Sequence, residues 1–413
     1  MFGRLKHLDI RSINWRNLDY RAIATPIAVL SPVALIVSAQ ELVMTAVAIL
    51  FLLHSRRERD WAWTREGWFA ALAALWVYAF LRTLLLHPTA TGVLTALQWI
   101  HFPVYAAALS TWILPRREPR EKLLRATLWA MSFFAADCLF QFVVGHDIIG
   151  RPTPDGRLTS VFGKPGVGAE MGWLYLPAMV GLWARGYAWR AAGFGFACIA
   201  AILLTGDRMA LLIALAAILI LCLFVGRARK TLLIALPGVA VVLAALLYLS
   251  PWIYHRQVET TATIVGNVGE SVYGLIFKTG LAIAADHPLL GVGVRNYQAV
   301  CVEDKYGPRF VGPREFDRCQ GHPHDIWLQW LAETGAIGVV LYAAFAFLAL
   351  RKLYKAAPAN RDDLVYFALA ICLALRLWPI ETTTSFYSSW SAGPLFLVLG
   401  WALSYARPTT LHA

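Results

Sequence analysis

The reactive side chains of this chain converge on one short stretch, Gly321-His322-Pro323-His324-Asp325, which is followed directly by an apolar-aromatic run. Asp325 stands where an N-cap would accept the first free amides of a helix. The positive end of that helix then disfavours an imidazolium, so His324 reads as a neutral imidazole able to accept a proton near neutral pH. That is a general-base environment; the plainer alternative is an interfacial histidine bonded to backbone. A second feature is Thr205-Gly206-Asp207-Arg208, a very short turn between two apolar runs that holds Arg208 at a membrane boundary. Arginine there is costly unless paired or functional, and its planar fork suits bidentate contact with phosphate oxygens. An ordinary Asp207–Arg208 pair or a snorkelling side chain is the alternative. A third is Asp286-His287-Pro288-Leu289-Leu290-Gly291-Val292-Gly293-Val294-Arg295. Its two glycines permit close backbone approach, but Gly-x-Gly alone is a weak phosphate signal, and Arg295 is its more informative residue.

Further candidates lie near these. Residues 151–170 contain Arg157, Lys164 and a Gly166-Val167-Gly168 turn, a set that could close over a polar lipid head. The segment 251–327 carries Arg256, Lys278, Arg295, Lys305, Arg309, Arg314 and Arg318, as solvated loop charge or as partners of an anion. Arg376 and Glu381 flank an apolar run and can pair with each other, while Asp137 sits deep in another without an obvious chemical role. His322 and His324 are not accompanied by His-Glu-x-x-His, Cys-x-x-Cys or Asp-x-Asp patterns, so no motif calls for a metal or other cofactor. Proton transfer and fixed cations would have to suffice.

The elements that hold these residues belong in a bilayer. Of 413 residues 59% are hydrophobic and 15% charged, against about 25% charged in soluble domains. The net charge of +12 could suggest nucleic acid, but the basic residues occur in short clusters between apolar runs and form no soluble basic face. About 20 apolar residues span the hydrocarbon, which predicts an all-α polytopic membrane protein with about 12 spans. They fall in 23–54 (two, broken near Ser38-Ala39-Gln40-Glu41), 67–86, 91–114, 123–144, 169–184, 190–205, 209–225, 231–250, 328–350, 364–379 and 392–406. Residues 1–250 thus hold nine spans, 251–327 a helical outer segment between spans nine and ten, and 328–413 the last three. Within the outer segment, 270–286 has the pattern of an amphipathic helix.

Orientation follows from Arg56-Arg57-Glu58-Arg59, Arg116-Arg117 with Arg120 and Lys122, Arg185 with Arg190, Arg227-Ala228-Arg229-Lys230, and Arg351-Lys352 with Lys355. All fall on one side, the cytoplasm by the positive-inside rule. Both termini are then inside, the first residues reading as a cytoplasmic tail, and His324 and Arg208 face out. The long outer segment is itself basic, which long translocated loops tolerate. Cys138, Cys198, Cys222 and Cys372 read as buried thiols, whereas Cys301 and Cys319 share a polar loop and could pair only in an oxidising compartment.

Arg208-x-x-x-Leu212, the Pro288-Leu289-Leu290-Gly291-Val292-Gly293 turn and His324-x10-Gly335 together resemble the bacterial O-antigen ligase and polymerase superfamily, over roughly 155–350. The resemblance implies a metal-independent, inverting glycosyltransferase of the bacterial inner membrane with a periplasmic site. As a ligase it would move a polysaccharide from undecaprenyl pyrophosphate to a hydroxyl of lipid A-core. The resemblance places the essential histidine on His324 and the motif arginine on Arg208. Arg295, Lys278, Arg157, Lys164, Arg314 and His322 are the expected pyrophosphate or substrate contacts, and Cys301–Cys319 the expected disulfide, closing a loop that positions the histidine. An arginine frequent in relatives falls on Gly274, so Lys278 or Arg295 would assume its role. A polymerase is the alternative within the superfamily, and a flippase for a lipid-linked oligosaccharide the alternative outside it.

Overall fold

A computed structural model of the chain describes residues 18–86, 88–153, 156–311 and 316–406. Every segment read as a span contains a helix: α1 (Tyr20–Val29), α2 (Gln40–Glu58), α3 (Gly67–Leu86), α4 (Ala90–Ile113, in consecutive stretches ending in a π-turn), α5 (Arg117–Val144), α6 (Val167–Ala184), α7 (Ala188–Leu204), α8 (Arg208–Phe224) and α9 (Gly226–Leu249). Beyond the segment that precedes His324, which includes a helix over the expected residues, α10 (Val272–Asp286), follow α11 (Ile326–Ala356), α12 (Leu364–Arg376) and α13 (Ser389–Ser404). Among the described residues four helices are long and apolar enough to cross a membrane: Gly67–Leu86, Ala90–Ile113, Arg117–Val144 and Ile326–Asn360. Shorter apolar helices stand beside them, which makes the chain a multi-pass membrane protein in outline. The regular strands among these residues are a two-residue antiparallel pair, Phe310–Val311 with Phe316–Asp317.

Polar contacts sort the loops to two ends of the bundle. At one end Lys352 bonds Glu66, Arg185 bonds Glu121, and Asn360 donates to the Tyr405 carbonyl at 3.1 Å. At the other, Arg157 bonds Asp207, and Arg82 donates to the carbonyls of Leu290 and Gly291. The basic clusters at 116–122, 185–190 and 351–355 thus gather opposite the segment that bears His324. Between the ends, aromatic rings from three helices and one loop interlock, with Trp330 against Phe386 at 5.1 Å and Phe386 against Trp99 at 5.3 Å. Between membrane helices such interlocking contributes through van der Waals packing and ring–ring contact.

One departure from the sequence reading is at α12, expected to reach 379 and ending at Arg376. The chain turns there because the Arg376 guanidinium is buried and bonds Glu381 at 2.7 Å, folding residues 377–388 back over the helix end. Another is a kink within α11 at Gly335, whose φ of 67° and ψ of −168° belong to a region essentially reserved for glycine. The Pro288–Gly293 turn docks into that kink. Val292 N–H donates to Ala332 O, Gly293 N–H to Glu333 O, and Ala336 N–H to Pro288 O, at 3.0, 2.7 and 2.8 Å. A Cβ on Gly335 would stand 2.3 Å from the Leu289 carbonyl, and one on Gly291 would stand 2.3 Å from Glu333 backbone. Both glycines are therefore required by close backbone contact.

Candidate functional site

His324 lies at the lip of the first turn of α11, in a left-handed conformation with φ 57°, uncommon for a residue with a Cβ. Asp325 caps the helix as its sequence position suggests, Oδ1 accepting from Leu328 N–H at 2.7 Å. Thr383 N–H donates to the His324 carbonyl at 2.8 Å. His322 is 3.1 Å from the Thr383 carbonyl through Nε2, so that nitrogen carries the proton and Nδ1 is the acceptor. The two imidazole rings lie 4.3 Å apart, and the Tyr273 ring meets His324 edge-on at 6.1 Å. Burial pushes His324 below the ordinary histidine range, partly opposed by the Thr383 carbonyl. It pushes His322 down to about 4, helped by His324. His324 is thus neutral near pH 7, with burial as a cause that acts in the same direction as the helix terminus.

His324, Arg208 and Arg256 border one open cavity of about 490 Å³, together with Thr263, Asn267, Tyr273 and Gln320. Arg208 begins α8, and its Nη1 is buried without a hydrogen-bond partner. The neighbouring Asp207 leaves the helix N-terminus uncapped and bonds Arg157 instead. Arg157 Nε is likewise buried and unpartnered. Arg256 reaches across from the segment that precedes His324 and donates through Nε to the Gly206 carbonyl at 2.9 Å. Gly206 makes this approach possible, since a Cβ there would stand 2.6 Å from Arg256 Cδ. Burial, then the charges of Arg157 and Arg208, pull Arg256 below the usual arginine range. Arg157 alone bonds the Asp207 carboxylate and stands behind the cavity lining, while Arg208 and Arg256 act on that carboxylate through their charge; the orphaned donors of Arg157 and Arg208 suit a multivalent anion.

The remaining candidates stand elsewhere. Lys278 pairs with Glu270 at 2.9 Å, and Glu270 borders the cavity. Lys164 lies 4.4 Å over the Trp390 ring. Arg295 is exposed, has φ 63° and influences His322 electrostatically, but it does not border the cavity. Arg314 lies outside the described residues. Gly274 admits no side chain, because a Cβ there would stand 1.9 Å from the Val268 carbonyl oxygen. Cys301 and Cys319 are joined by a disulfide, closing the lobe that precedes His322. Among the described residues no group of three or more His, Cys, Asp or Glu side chains could share a metal ion.

Two residues not singled out from sequence belong here. Arg256 was one charge among many in the outer segment. Arg82 binds the docked turn from α3, while Tyr78 on the same helix donates to the Thr334 carbonyl at 2.8 Å; a lone arginine within an apolar run was its signal. Asp137 acquires a role as well. It accepts from Ile148 N–H at 2.8 Å and from the Ser160 hydroxyl, while Gln141 accepts from Thr159 and Ser160 N–H at 2.9 and 3.0 Å. Together they anchor the loop that delivers Arg157.

No curated protein matches the chain. A family model described as O-antigen ligase matches residues 193–343, the stretch that contains Arg208, Arg256, the Pro288–Gly293 turn and His324, so over those residues the chain is similar to that family.

Proposed function

We propose that the chain is an O-antigen ligase, transferring a polysaccharide from undecaprenyl pyrophosphate to a hydroxyl of lipid A-core at the periplasmic face of the bacterial inner membrane. The observation that carries the reading is the single cavity bordered by Arg208, Arg256 and His324. A diphosphate diester bears two negative charges. Arg157, Arg208 and Arg256 around Asp207 leave two positive charges to meet them. His324 takes the proton of the acceptor hydroxyl, whose oxygen attacks the anomeric carbon in line. The bond from that carbon to the pyrophosphate oxygen breaks, the arginines stabilise the departing diphosphate, and the anomeric centre inverts. The basic loops at the opposite end of the bundle, taken as cytoplasmic by the positive-inside rule, support an outward-facing cavity.

Reconstitution of the full-length protein with the lipid-linked polysaccharide and lipid A-core tests the reading. Product on core lipid, lost in His324→Ala and insensitive to a chelator, is expected. Longer undecaprenyl-linked chains with nothing on core lipid identify a polymerase instead. Transport of the donor across the membrane without transfer identifies a flippase.

A further inference from the structure

Arg376 lies outside the cavity yet connects to His324 through two routes that meet. Its Nη1 donates to Glu381 Oε1 at 2.7 Å and to Thr383 Oγ1 at 3.1 Å. By the first route, Glu381 N–H donates to Asp325 Oδ2 at 3.3 Å, and Asp325 is the residue after His324 and the cap of its helix. By the second, Thr383 N–H donates to the His324 carbonyl at 2.8 Å, and the Thr383 carbonyl accepts from His322. The two routes close a ring of contacts around the histidine backbone. Arg376 is itself fixed, because Nη2 donates to Ser391 Oγ and O at 2.5 and 3.1 Å and the guanidinium lies 4.9 Å over Trp173. Arg376 and Glu381 are each 5% exposed, so neither charge can turn to solvent when its partner is lost.

The ring has something to hold. His324 adopts a backbone conformation that costs a residue with a Cβ about 1–3 kcal/mol unless its surroundings impose it. The segment before it, Gln320-Gly321-His322-Pro323, is not part of a helix or strand. Other bonds tie the 377–388 loop to α11, with Trp327 donating to the Leu377 carbonyl and Gln329 to Ser385 Oγ at 3.2 and 2.9 Å. The contacts that reach the histidine backbone itself, through Thr383, and its helix cap, through Glu381, both lead to Arg376.

We infer that Arg376 is a positioning residue for the transfer reaction, holding the His324 backbone and thereby the aim of its imidazole through Thr383 and Glu381. The inference rests on the proposed role of His324 as base. Misplacing a reacting group by about 1 Å can cost on the order of 100-fold in rate. Because the ring lies outside the cavity, the loss belongs in kcat and not in donor binding.

Full-length Arg376→Gln and Thr383→Val proteins, taken as monodisperse fractions into proteoliposomes with both substrates, provide the test. Thr383→Val removes only the hydroxyl and retains the backbone contacts to the histidines. For Arg376→Gln we expect kcat to fall about 100-fold with the donor KM nearly unchanged. The acid limb of kcat/KM should move up toward the ordinary histidine range as water reaches His324. Thr383→Val should change both quantities in the same direction by a smaller step, and Arg376→Lys should rescue only partly, since one ammonium cannot span Glu381, Thr383 and Ser391. If Arg376→Gln yields no folded fraction, Thr383→Val and Arg376→Lys decide by the same criteria. Unchanged kcat and acid limb, or a loss uniform across pH with a raised KM, overturn the inference. A His324→Ala control separates the two claims: inactive His324→Ala beside normal Arg376 and Thr383 variants defeats this inference alone, while active His324→Ala defeats the base on which it rests.

Discussion

Gly335→Ala should be among the most damaging single-methyl changes in the protein. The native φ of 67° and ψ of −168° are essentially closed to alanine, a strain of about 1–3 kcal/mol. The added Cβ would also stand 2.3 Å from the Leu289 carbonyl, so backbone must withdraw by about 1 Å to reach ordinary contact. That movement opens the three hydrogen bonds between the Pro288–Gly293 turn and the kink, each worth about 0.5–1.5 kcal/mol. Together the terms give a loss of about 2.5–7.5 kcal/mol. Gly186→Ala reports the effect of a positive φ without a clash, because Gly186 has φ 84° but nothing within 4 Å of its Cβ position. Gly193→Ala, helical and open, should be neutral or stabilising by up to about 1 kcal/mol. Thermal unfolding of the three purified variants, with transfer rates in parallel, provides the assay. A Gly335→Ala protein that melts with Gly186→Ala and transfers at the wild-type rate would refute the account of the docked turn.

Other expectations follow from the same geometry. Arg208→Ala and Arg256→Ala should each lower kcat by about 10²–10³, as removal of a donor to a developing negative charge does elsewhere, measured as initial rates at saturating substrate. Asp137→Ala should release the loop that delivers Arg157 and weaken inhibition by inorganic pyrophosphate, read from inhibition curves, without touching the cavity directly. His322 and His324 are held below the usual histidine range, so the unfolded chain binds more protons than the folded one at mildly acid pH. Their contribution to stability is complete above about pH 6.5 and falls as pH drops, that of His322 being lost toward about pH 4; pH-dependent melting of wild type and His322→Phe should show this. The Cys301–Cys319 bridge has a sequence separation of 18, worth about 3 kcal/mol by loop entropy. Cys301→Ser with Cys319→Ser should open the 301–319 lobe to limited proteolysis.

The apolar runs were legible because residue type and length alone define a candidate span, and their helices fall close to the expected bounds. Arg208, at the start of a helix, and Asp325, as a cap, were legible for a similar reason, since helix termini leave local signatures. What could not be read were contacts between distant segments. Arg256 and Gly206 meet across a sequence separation of 50, and Arg82 meets Leu290 across 208; no periodicity reports such pairs. The Pro288–Gly293 turn was recognisable as a motif, but its reason, the unwound backbone at Gly335, needed both partners in view. Lys278 was offered in place of the family arginine at Gly274 and Lys164 as part of a loop before a span, and side-chain direction brings them to Glu270 and Trp390. The role of Asp137 depended on a loop that its own helix does not contain.

The most direct test of the central claim is the transfer rate of His324→Ala protein in proteoliposomes supplied with undecaprenyl-pyrophosphate polysaccharide and lipid A-core, with pyrophosphate binding measured on the same sample. Transfer should fall by at least 100-fold, as loss of a general base requires, while pyrophosphate binding at the arginines persists. Transfer at the wild-type rate would contradict the assignment of His324 as the group that activates the acceptor.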